Sequence, residues 1–313
     1  WPGDPGPAAE SPALRLAGGL HGLVISGADP ALVAVYPPAA ASDEALWAAV
    51  EGALARHSGR LMEALGRAPQ TNEVRRAAAL IPALALVARA TGRPLALWEL
   101  GCAAGLNLRC DRFALDAGGA RFGPAGAAVR LAPDWAGGVP VPVALDVVER
   151  RGVDLAPLDP GAEGDRLRLL SYLWPDQPER RALTAAALDL ARAVPAEIVR
   201  ADAAHWLEAA LGRRRAGVTT VLFHTVAWQY LPAEARARGE AAIAAAGARA
   251  TAQAPLARIG MEADGRRDAG LSVQIWPGGA AHALARVDFH GRAVAWTGPT
   301  DLPALDTAAR APR

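Results

Sequence analysis

Residues 98–107 read WELGCAAGLN, a carboxylate at the end of a hydrophobic stretch with two glycines just beyond it. If the stretch is a strand and a helix starts after the turn, Gly101 and Gly105 let a ligand approach the backbone closely. The helix N–H groups would then receive a carboxylate or phosphate, with Glu99 facing the same crevice. The same four-residue glycine spacing also makes a tight connection and nothing more.

Periodicity indicates the framework around this turn. "PLALWEL", "AEIVRAD" and "GVTTVLFHT" are short apolar runs, each leading into a stretch with helical character, and strands alternating with helices imply a parallel sheet covered on both faces. Four later pieces, "PLARIGMEADG", "LSVQIWPGG", "HALARVDFHG" and "RAVAW", are joined by turns too short for helices and should pair antiparallel. Before Gly92 the chain reads as helical. Leu46, Val50, Leu54, His57, Leu61 and Leu65 recur on one face of a helix capped by Ser42. A second helix, capped by Thr71 or Asn72, should run to Gly92 with Pro82 inside it. The expected organisation is a helical region over residues 1–92 and an α/β domain over 93–313. A Gly- and Pro-rich insertion with short hairpins interrupts that domain at about 113–146.

Composition removes several chemistries. The 313-residue chain carries a formal net charge of +1, which gives a polyanion no global attraction, so nucleic acid is not an expected partner. All 33 basic residues are arginine, so no lysine is present for a Schiff base or a P-loop. Cys102 and Cys110 are too few for a disulfide framework and fit a reducing cytoplasm. No apolar run has transmembrane length, and "WPGDPGPAAESP" lacks a signal-peptide pattern, so no membrane association is expected. His21, His57, His205, His282 and His290 show no metal-ligand spacing, so no metal is expected.

The form of the turn separates cofactors. A nicotinamide or flavin site usually shows G-x-G-x-x-G, and here Ala103 replaces the second glycine. An acid followed by x-G-x-x-x-G, on a sheet ending in an antiparallel hairpin, resembles the first motif of class I S-adenosylmethionine-dependent methyltransferases. "QTNEV" (70–74), "ELGCAAGLNLRCDRF" (99–113), "RRGVDLAPLD" (150–159), "LWPDQPER" (173–180) and "FHTVAWQYLP" (223–232) together resemble a bacterial family of unknown function with such a core. The resemblance covers nearly the whole chain. It implies a class I methyltransferase-like, Rossmann-like α/β fold: a mostly parallel sheet, a C-terminal antiparallel hairpin and a preceding helical region.

The resemblance also implies roles. Glu99, Gly101 and Gly105 would hold the methionine end of S-adenosylmethionine, and Asn107 could bond its carboxylate. Asp154 would accept from the ribose hydroxyls, with Asp159 or Asp116 as competing choices, because the insertion stretches the usual spacing of about twenty residues. Asp202 would accept from the adenine amino group or cap the helix after it. His224 would serve as general base or lie buried and hydrogen-bonded. Trp228 would wall the pocket, and Gln229 and Tyr230 would orient the acceptor, or these groups belong to the core. Asn72, Glu73 and Arg75 would either cap a helix or lend polar groups to a small-molecule acceptor. Cys102 would have its thiol pKa lowered by the nearby helix N-terminus, or be present for its small size. The leading expectation is a methyltransferase. The alternatives are a non-catalytic binder of S-adenosylmethionine or another nucleotide, and a nicotinamide-dependent oxidoreductase.

Overall fold

The computed structural model describes residues 1, 3–6 and 10–305, so residues 2 and 7–9 of the opening stretch lie outside the described part. Four helices come first: α1 (Pro12–Ile25), α2 (Pro30–Val35), α3 (Asp43–Arg56) and α4 (Ser58–Leu65). A 3₁₀ turn (Val74–Arg76) leads into α5 (Ala77–Thr91) and then β1 (Leu95–Leu100). After the glycine turn come a 3₁₀ segment (Leu106–Arg112), β2 (Ala114–Ala117), β3 (Ala120–Phe122), β4 (Arg130–Leu131) and β5 (Asp134–Gly137). The chain continues through β6 (Val147–Asp154), α6 (Glu163–Ser171), α7 (Pro178–Ala193), β7 (Glu197–Arg200), α8 (Ala203–Ala210), β8 (Thr219–Thr225) and α9 (Ala233–Ala248). It closes with β9 (Leu256–Glu262), β10 (Ala269–Trp276), β11 (Ala281–Val287) and β12 (Ala293–Trp296).

Two compact units result: residues 1–71 with 158–188, and residues 72–157 with everything from 189 onward. The first is helical, with Leu20, Leu23, Leu32, Ala53 and Leu61 as its core. The long helix expected from Ser42 to Leu65 is broken at His57. Ser42 does cap its start, accepting from the Ala45 N–H at 3.3 Å. The break coincides with a pull from afar: buried Asp29, which caps α2, receives both Arg56 (2.8 Å) and His57 (3.2 Å).

The second unit is built on a nine-stranded sheet of order β5-β12-β11-β10-β9-β8-β1-β6-β7. The chain is thus α/β with a large, mostly parallel sheet: β7, β6, β1, β8 and β9 run parallel, while β10, β11 and β12 form an antiparallel meander after β9. The four strand pieces expected to pair antiparallel at the end of the chain do so, as β9, β10, β11 and β12. All six residues of β1 are buried, as a central strand covered on both faces requires. One face of the sheet packs Trp98, Leu222 and Leu256 under α8 and α9. On the other face lies α5, almost wholly buried, apolar around its whole circumference and ended by Gly92 at φ 60°. The insertion supplies a small sheet of order β3-β2-β4, with β5 added beside β12. No helix among the described residues is long and apolar enough to cross a membrane.

Candidate functional site

The topological switch of the sheet lies between β1 and β8, and in open α/β sheets ligands bind at the carboxyl ends of strands at such a point. A cleft of about 270 Å³ occupies this edge. Gly101 after β1, Asp154 at the end of β6, Asp202 after β7, and Val226, Trp228 and Tyr230 after β8 line it. All of these but Val226 are positions the sequence singles out, and four adjacent parallel strands bring them to one crevice.

The glycine turn is tightly bound by the protein itself. Val153 O accepts from the N–H groups of Gly101 (2.9 Å) and Cys102 (3.2 Å), Asp154 Oδ2 from Ala103 (2.8 Å), and Asn72 Oδ1 from Leu106 (3.0 Å). Gly101, at φ 68°, leaves no room for a side chain, since a Cβ there would lie 2.6 Å from that of Ala227. Gly105, at φ 65°, is closed in by Ile198 and Leu108. The turn leads into a seven-residue 3₁₀ segment rather than a full α-helix. Cys102 packs against Gly152, where a Cβ would meet its sulfur at 2.7 Å, and burial pushes its thiol up rather than down.

Both cleft acids bind backbone. Asp154 Oδ1 accepts from Ala156 at 2.9 Å, and Asp202 caps α8 by accepting from His205 at 2.9 Å. These bonds fix the orientation of both carboxylates. Two non-glycine residues with positive φ flank the cleft, Ala103 (50°) and β-branched Val226 (53°). Such strain persists where the surroundings enforce it and concentrates at ligand sites.

A profile of one bacterial family matches residues 1–296. The chain belongs to that family, described as "Uncharacterized protein conserved in bacteria (DUF2332)". It matches no curated protein and no solved structure.

In this family member the wall after β8 is held by a residue the sequence did not mark. Glu262, at the end of β9, accepts from the N–H groups of Ala227 (3.0 Å), Trp228 (3.1 Å) and Gln229 (3.2 Å), and from His224 Nδ1 (2.8 Å). Burial opposes its ionisation, yet the bonds from His224 and the backbone hold its carboxyl below the ordinary glutamate range. His224 is buried beneath Trp228, the rings 5.1 Å apart, and its Nε2 accepts from Arg258 Nε at 3.1 Å. Burial lowers its pKa, and the network assigns a neutral ring with the proton on Nδ1. Both nitrogens are engaged. Gln229 Oε1 accepts from Ala263 at 2.9 Å, while Tyr230 stands 73% exposed at the rim.

Glu99 takes the opposite face of the sheet, near Asn107 and Arg76. It is 2% exposed, and its Oε2 has no hydrogen-bond partner; neither has Asn107 Oδ1. Burial pushes its carboxyl well above the ordinary range despite nearby Arg109 and Arg76. Asn107 Nδ2 donates to Glu73 O at 3.2 Å, and Glu73 Oε1 caps the 3₁₀ turn by accepting from Arg75 at 3.1 Å. Glu73 therefore takes the capping place expected of Thr71 or Asn72, and Asn72 is turned to the glycine turn. Arg109, buried, donates to Gly105 O (2.7 Å) and Val194 O (2.8 Å), and burial lowers its guanidinium to about 10. Arg76 donates to Thr225 O and Phe289 O, both at 2.9 Å. Among 33 arginines nothing local distinguishes these two. Among the described residues no group of three His, Cys, Asp or Glu side chains is placed to hold a metal ion.

Proposed function

We propose that the cleft between β1, β6, β7 and β8 binds S-adenosylmethionine and that the protein transfers its methyl group to a small-molecule acceptor. One observation carries this reading: carboxylates at the ends of two neighbouring strands, Asp154 and Asp202, line a single cleft with Gly101 at the switch point. The strand order β7-β6-β1-β8-β9 is the 3-2-1-4-5 order of nucleotide-binding α/β sheets, a likeness of class I methyltransferases. Asp154 and Asp202 suit a ribose and an adenine edge. Gly101 lines the cleft, and Glu99 with Asn107 lies behind the turn. At about 270 Å³ the cleft is near the lower end of small-molecule sites, roughly 300–1,000 Å³.

The bound cofactor would supply an already activated methyl group, so the chain has to align acceptor and cofactor and exclude water. Trp228 is shared with a second cavity of about 580 Å³, lined by Arg258, Glu262, Ser272 and Gln274, which offers an acceptor room beside the cleft. His224 acts here through position. With Glu262 it fixes residues 227–229, the wall that carries Trp228.

A second reading, binding without transfer, is favoured by one specific observation: both nitrogens of His224 are committed to protein partners. Calorimetric titration of the whole chain with S-adenosylmethionine and S-adenosylhomocysteine, with NADH as control, tests the cofactor. Methyl transfer to a panel of small acceptors then separates the two readings.

A further inference from the structure

The helical unit formed by residues 1–71 and 158–188 contains its own cavity of about 230 Å³, walled by α1, α4 and α6. Arg60 and Ala64, four apart on one face of α4, line it together with Arg67 just beyond the helix end. Across from them α6 contributes Arg168, whose Nη2 donates to Ala68 O at 2.9 Å while its buried Nε has no partner. The other two arginines are weakly engaged. Arg60 Nη2 reaches Ser26 Oγ at 3.3 Å, and Arg67 Nη2 reaches Glu63 Oε1 at 3.5 Å. Glu63 is the one carboxylate among the lining residues, so the cavity carries an excess of positive charge.

The glycines of α1 give the cavity its floor. At Gly18 and Gly19 helix packing demands glycine, since a Cβ would lie 2.6 Å from the Tyr172 ring and 3.0 Å from Ala64. At Gly22 it does not, for the nearest atom to a Cβ is that of Ser171 at 3.7 Å. Glycine is poorly suited to a helix interior, and here its effect is to leave the floor open.

We propose that this cavity binds the phosphate group of a small phosphorylated metabolite through Arg60, Arg67 and Arg168. Planar guanidinium groups match phosphate oxygens, and three arginines on one concavity with a single carboxylate favour a dianion. Leu167 and Tyr172 provide an apolar wall for a short carbon chain. At about 230 Å³ the space suits a phosphomonoester of a few carbons.

The test is calorimetric titration of the full chain with inorganic phosphate and glycerol phosphate, with succinate as the carboxylate control. The expected result is saturable binding of both phosphates, weakened by added salt and by roughly tenfold or more in the Arg60→Gln/Arg67→Gln double variant. Arg168→Met, which keeps the apolar stem and removes the buried donor, should weaken it as much. Should that variant not fold, the double variant at two exposed positions still decides. No saturable binding by the folded wild-type chain, or equal affinity in the double variant, would overturn the site. Equal binding of succinate would overturn the phosphate assignment.

Discussion

Glu262 Oε1 lies 2.8 Å from His224 Nδ1, and the same carboxylate gathers three successive N–H groups of the segment that walls the cleft. One side chain at the end of β9 thereby sets the backbone after β8. Removing it leaves several buried donors without an acceptor, each costing about 1–3 kcal/mol. Glu262→Ala should therefore lose roughly 2–4 kcal/mol in denaturant unfolding, with relaxation of strand contacts offsetting part of the sum. Ligand affinity at the cleft should fall with it. A loss below about 0.5 kcal/mol, the scale of an ordinary surface substitution, would show that these bonds do not hold the wall.

Glu99 gives a pH signature. Burial raises its folded pKa above the unfolded value near 4.5, so the unfolded chain releases this proton first as pH rises. The stability it contributes is present in full below the unfolded pKa and is lost as pH rises through the folded one. In that window the loss reaches at most about 1.4 kcal/mol per pH unit. Glu99→Gln should remove this slope, and the stability difference between variant and wild type should move in the variant's favour from about pH 4.5 upward. Parallel stability–pH curves would show that Glu99 is ionised in the folded protein.

Gly101 combines a φ of 68° with a contact that admits no Cβ. Gly101→Ala should cost about 1–3 kcal/mol through left-handed backbone strain and the clash with Ala227. Because that clash lies at the cleft, ligand binding should be lost at temperatures where the variant is still folded. Full affinity in a folded Gly101→Ala protein would remove the turn from the binding site.

Arg150 and Asp111 form a buried bidentate pair, 2.9 and 2.8 Å, behind the 3₁₀ segment after the turn. Arg150→Met leaves the buried carboxylate paired with the more exposed Arg112, 3.2 Å away, and should cost up to about 3–5 kcal/mol, whereas Asp111→Asn combined with Arg150→Met should recover much of it. A double-mutant cycle measured by urea unfolding checks this, and simple additivity would contradict it.

What was legible in the sequence was local. The apolar run before Gly101, the Ser42 cap and the strand runs at 197–200 and 219–225 each express their own period or cap chemistry. What was not legible depends on partners far along the chain. Glu262 finds its partners 33 to 38 positions away, and inside an apolar strand it gave no sign of them. His57 has the spacing of one more position on a helical face, and its pairing with Asp29, 28 residues earlier, coincides with the break there. Adjacent polar residues were equally ambiguous. Asn72 and Glu73 have similar capping chemistry, and only the placing of Leu106 beside Asn72 separates their roles.

The proposed adenosyl site rests on Asp154 and Asp202. The direct measurement is calorimetric titration with S-adenosylmethionine of the wild-type chain beside Asp202→Asn, because asparagine keeps the cap on α8 while removing the charge. Wild type should bind saturably, and the variant, with unchanged stability, roughly tenfold or more weakly. No binding by the folded wild-type chain, or equal affinity in the two, would contradict the assignment.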